Sequence, residues 1–191
     1  ELYPSFEGPA PAEPYSTVHF GSYDPNLLGV AENVDEYNLR AEQRAIVFVD
    51  TFSAFGVLDP SPEEIAQALA NVTSHEIGHL LGLYHTQDAK GVMDITASLR
   101  QMMGDQFFGQ SPLHPEVFAV GNQDAVPTLL ANVGGDAALA KSAAQLAASM
   151  RSAWYDQGQG RSARSHLTFG TCRECQRHRI DQSDTYASSA P

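Results

Sequence analysis

The stretch His75–His85, HEIGHLLGLYH, constrains this 191-residue chain more than any other. His75 and His79 stand four apart, so a helix stacks them one turn above each other on one face. Two imidazoles in that relation can grip one metal ion. A straight helix cannot carry His85 round to the same ion. The chain must turn back after His79, and Gly82 can take the left-handed backbone that such a turn requires. Three neutral imidazoles leave a tetrahedral zinc one open position, which is the layout of a catalytic rather than a structural site. That position takes a water whose pKa the metal lowers, and Glu76 follows His75 closely enough to take its proton without binding the metal. On this reading zinc is lost as the imidazoles protonate below pH ~6.5. Five fixed residues at this spacing occur by chance on the order of once in 10⁵ such chains.

The surrounding sequence supplies a frame for this segment. Ser61-Pro62-Glu63-Glu64 marks a helix start, with a serine cap, proline at the first helical position and glutamate at the third. Ile65, Leu69, Val72 and Leu80 continue an apolar stripe, so the spacing predicts a helix over residues 62–81. Asn71, Thr73 and Ser74 are weak helix formers, so packing must hold that part. Gly78 inside the helix implies close approach of a neighbouring strand or loop. Three strand-like runs come earlier: Ser16–Tyr23, Leu27–Val34 and Ala45–Phe52, the last rich in β-branched and aromatic residues. Downstream, residues 95–108 read as a second helix with Leu99, Met102 and Met103 inward. Residues 109–124 read as loop, 126–133 as a short helix stopped by Gly134-Gly135, and 136–155 as an alanine-rich amphipathic helix.

HExxHxxGxxH followed by Met93 in Gly91-Val92-Met93-Asp94 resembles the metzincin pattern of zinc endopeptidases, and most of all the matrixins. The resemblance covers about residues 16–103. It implies an α+β fold, with a small twisted mixed sheet over the active-site helix and the zinc between them. It implies His75, His79 and His85 as ligands of one catalytic Zn²⁺, and Glu76 as the base in peptide-bond hydrolysis. Met93 would form an apolar floor under the histidines, a place that suits its adaptable side chain. Leu28, Gly29, Val30 and Ala31 would form the edge strand on which an extended substrate lies antiparallel; an ordinary edge strand is the equal alternative. The family is mostly secreted, which is the only ground for placing this chain outside the cell. A structural Ca²⁺ would be compatible with it, with no residue assignable as a ligand. Three departures stand out. Threonine (Thr86) replaces the serine usual after the third histidine. Asp94-Ile95-Thr96 replaces the usual aromatic and proline, so a pocket preference does not carry over. With 74 residues before His75, the family's first strand-helix-strand unit is expected to be missing or shrunken.

The division that follows is an extended, proline-rich arm over 1–15, a metzincin-like catalytic domain over 16–110, a helical C-terminal annex over 111–156 packed on the core, and a Gly-, Ser- and Arg-rich tail over 157–191. Net charge is −12, with the acidic excess on the first 150 residues. That balance argues against nucleic acid or an anionic membrane as partner and leaves a protein or peptide substrate, with no oligomeric state implied. No apolar run approaches a membrane span. Cys172 and Cys175, flanked by His166 and His178, admit a local disulfide, a small zinc site or a redox pair; the first, or free thiols, is favoured. The rival function is a catalytically silent zinc-binding module for adhesion or interaction, or an inactive metzincin fragment. An intact Glu76 speaks against it, because a silent domain needs no base.

Overall fold

The computed structural model describes residues 14–116 and 121–134, with positions 4, 5, 8, 9 and 12. The expected arm therefore lies largely outside the described residues. The 136–155 helix and the tail with Cys172 and Cys175 lie wholly outside them. The architecture is α+β. Strands β1 (Thr17–Phe20), β2 (Gly29–Ala31) and β3 (Arg44–Val47) form a mixed sheet in the order β1-β3-β2. β1 runs parallel to β3, and β2 antiparallel to it. Ala45 and Val47 on the central strand are buried two apart, as the pleat requires, and they face helix α1 (Pro62–Leu80). Leu28, Val47, Ala68, Val72 and Leu99 share one apolar cluster, and Ala31, Ala45 and Leu80 another. Sheet and helix thus clamp each other along the helix's whole apolar stripe.

α1 starts as the sequence predicts. Ser61 Oγ accepts from Glu64 N at 3.2 Å and Glu64 Oε2 accepts from Ser61 N at 2.8 Å, a complete capping box. The weak middle of the helix is held from outside. The Asn71 amide donates to the carbonyls of Met102 and Gly104, both at 2.8 Å.

Three sequence expectations are corrected. The Ala45–Phe52 strand stops at Val47, and Val49–Leu58 winds into 3₁₀ turns. Phe52 and Phe55, three apart, fall on one face of a 3₁₀ helix, where their rings stack at 5.3 Å inside the core. Thr51 ties this segment to the loop before β2: its Oγ1 donates to Asp24 O at 2.8 Å and accepts from Asp24 N at 3.0 Å. The helix expected over 95–108 shrinks to the single turn α2 (Leu99–Met102). Asp94 accepts from Thr96 N and Thr96 Oγ1, both at 2.8 Å, which makes a turn of the first residues. Asn71 takes the carbonyls beyond, and Phe107 N leaves to bond Lys90 O at 3.1 Å. The loop expected over 109–124 contains an antiparallel pair, β4 (Gln110–Pro112) and β5 (Asn122–Asp124). It leads into helix α3 (Ala125–Val133), capped by left-handed Gly134 as predicted.

Candidate metal centre

α1 delivers His75, Glu76 and His79 in its last two turns, and a Schellman turn then reverses the chain. Leu83 N donates to Gly78 O at 2.9 Å and Gly82 N to His79 O at 3.0 Å. Gly82 has φ +89°, and a Cβ there would sit 2.9 Å from Asp35 O and 2.8 Å from Asn132 Nδ2. Glycine is thus needed twice, for the left-handed backbone and for the close approach. The reversal brings His85 opposite the helix.

The three histidines form the one metal-binding group of the described residues, with ligand atoms all within 4.8 Å of one another. His79 Nε2 lies 3.1 Å from His75 Nε2 and 3.0 Å from His85 Nε2. Ligands at ~2.0–2.1 Å from a tetrahedral zinc stand ~3.3 Å apart, so the spacing fits. The tautomers fit too. His75 Nδ1 donates to Val92 O and His79 Nδ1 to Leu83 O, each at 2.7 Å. A carbonyl can only accept, so each Nδ1 carries the hydrogen, and the two Nε2 atoms face each other with lone pairs. That contact is not a hydrogen bond; it calls for a shared cation. Burial pushes the His79 imidazole down to about 3, with nearby His75 adding to it, and holds His85 well below its usual range. His75, whose residue keeps some surface open, is pushed to about 4 by the same cause. Burial thus favours the neutral form of all three, the form in which an imidazole can bind a metal.

Glu76 is buried beside them, and β2 comes down on it. A Cβ on Gly29 would meet Glu76 Oε1 at 2.5 Å and Cδ at 2.9 Å. Among the described residues β2 pairs with β3 alone, so its other edge is open. The four residues Leu28–Ala31 do not present their backbones alike. Leu28 O accepts from Phe48 N and Glu32 N donates to Arg44 O, both at 2.8 Å and both toward β3. Alternation along the strand then turns the groups of Gly29 and Ala31 to the open edge and those of Val30 toward β3. Leu28 precedes the strand, and its side chain is core.

Met93 packs against α1 at Gly78. A Cβ on Gly78 would meet its sulfur at 2.5 Å, so the neighbour that Gly78 makes room for is this side chain. Met93 packs with Leu83, Val92 and Ala125. Beside Glu76 opens a small cleft, walled by Leu28, Val72, Val92, Ile95 and Met102. Asp94 borders it; burial raises its carboxyl above the usual range, partly offset by the Thr96 hydrogen bonds.

Two side chains that hold the site carried no sequence signal. Asn71 reads as a weak helix former, yet it docks the segment that walls the cleft. Gln123 sits in what reads as loop, yet its amide meets the backbone next to His85. It accepts from Tyr84 N at 2.8 Å and donates to Tyr84 O at 3.0 Å.

Residues 16–107, just under half of the chain, match the matrixin family model. No curated protein and no solved structure gave a match.

Proposed function

We propose that this chain, whose residues 16–107 match the matrixin family model, is a zinc-dependent endopeptidase acting on extended stretches of proteins or peptides. The observation that carries the reading is the meeting of three neutral histidine nitrogens with a buried carboxylate at the mouth of a cleft. His75, His79 and His85 would hold the ion through Nε2. Bound there, zinc supplies a Lewis acid for water and for the scissile carbonyl. Glu76 takes the proton of the attacking water and passes it to the leaving amine. Its burial under Gly29 keeps it pointed at one place. Gly29 and Ala31 offer outward backbone groups that align an extended peptide antiparallel to β2. The neighbouring cleft receives the side chain next to the cut bond. Secretion is proposed from the family alone.

The test is Glu76→Gln. The variant should keep one zinc per chain by elemental analysis and its thermal transition, and lose ~10² to 10⁴ in turnover of a casein-type substrate. Cleavage at the parent's rate would remove Glu76 from the mechanism, and a parent without zinc would remove the metal reading.

A further inference from the structure

His75 and His79 are placed by one helix, which sets their spacing by itself. His85 has no such support. It stands off the helix, behind a glycine, on a segment whose position has to be imposed from elsewhere. Three backbone ties impose it. Tyr84, one residue before, is held at both N and O by the Gln123 amide, at 2.8 and 3.0 Å. His85 O accepts from His114 N at 3.0 Å, and Thr86 N donates to Met93 O at 2.8 Å. Two of the three come from residues 114 and 123, beyond the matrixin match at 16–107. Gln123 is itself fixed. It lies buried in β5, paired with Ser111 of β4, and α3 follows directly. α3 then ties back to the same turn, where Asn132 Nδ2 donates to Leu81 O at 2.7 Å.

We infer that Gln123 is a positioning residue for the metal centre: its side-chain amide clamps the Tyr84 peptide on both sides and so sets the reach of His85. The chemistry suits the task. A primary amide is the one uncharged side chain that can donate and accept in parallel against a single residue's N–H and C=O, as a neighbouring strand would. The 110–134 segment thereby acts as a brace supplied by this chain itself. Without the brace, His75 and His79 would still offer two ligands while the third wandered. The inference rests on the zinc reading of the triad but not on peptidase activity.

Zinc affinity by competition with a chromophoric chelator, and the visible spectrum of the cobalt-substituted protein, test it on the full chain. Gln123→Ala should weaken zinc binding ~10- to 100-fold, the usual cost of losing an outer support of a metal ligand. It should also shift or flatten the cobalt ligand-field bands, which report coordination geometry. Gln123→Glu keeps acceptance from Tyr84 N and loses donation to Tyr84 O, so it should fall between parent and alanine variant. Phe55→Leu, a core change in a different apolar cluster, serves as the control. It should lower the melting temperature and leave both metal readouts unmoved. Parental affinity and cobalt spectrum in Gln123→Ala overturn the inference, as does a Phe55→Leu protein that moves them equally. Should the alanine variant not fold, a parental Gln123→Glu overturns it alone. A parent that binds neither metal sinks the zinc reading as well.

Discussion

Gly29 lacks a side chain where Glu76 needs the space. An alanine methyl there would lie 2.5 Å from Oε1 and 2.8 Å from Cγ of a carboxylate that is itself buried. Either the strand lifts or Glu76 swings away. Overpacking of this kind costs ~1–3 kcal/mol, and displacing a reacting group by about 1 Å costs ~10²-fold in rate. Gly29→Ala should therefore retain zinc and lose turnover far beyond its loss of stability. Equal proportional losses in both would show that the contact is structural only. Gly78 differs, because its neighbour is the flexible end of Met93, which can give way. At this scale the clustering of His75, His79 and His85 is legible, since it follows from local spacing. The partner of Gly29 was not, because the strand and the helix that meet there are far apart in sequence.

Among the elements, α1 is the most self-sufficient. Its capping box closes its first turn within four residues of sequence, which is why its start can be read. Ser61→Ala should cost ~1 kcal/mol, the usual value of such a cap, measured by urea unfolding of the metal-free protein. Zinc affinity should be unchanged, because the cap stands several turns upstream of His75. A weakened affinity would mean that fraying travels the length of the helix. The other elements depend more on their neighbours. The apolar run 45–52 reads as strand by composition. The ladder ends with Phe48 N bonding Leu28 O, and beyond it Phe52 and Phe55 turn into the core three apart. Pro112 and Asn122 do not suggest strands, yet pairing between β4 and β5 makes them so.

The molecule as a whole sets the pH response. In the folded chain burial takes His79 down to about 3 and His85 well below 6.5. In the unfolded chain both protonate near ~6.5. Between these limits the unfolded state binds more protons, so stability is full above ~6.5 and is lost as pH falls toward about 3. The metal-free protein should therefore melt at steadily lower temperature from pH 7 to pH 4, with proton uptake on unfolding. A flat melting temperature over that window would show that the triad is open to water. The same burial bears on the pH at which the triad would release zinc. Burial favours the neutral imidazoles below the usual histidine range, so zinc is expected to bind at pH 6 with little proton release, measured by calorimetry in buffers of different ionisation enthalpy.

The histidine triad, the glutamate beside it, the reversing glycine and the capped helix were determined by sequence alone. Each is a pattern within about one helix of chain, where fixed periodicity ties spacing to direction. The brace behind His85 was decided only by tertiary structure. Gln123 reaches Tyr84 across 39 residues, and Asn132 reaches Leu81 across 51. Nothing in the composition of either stretch marks the other. Such pairings depend on which surfaces meet once the core has closed, and an amide becomes a clamp only when a backbone with the matching N–H and C=O is brought against it.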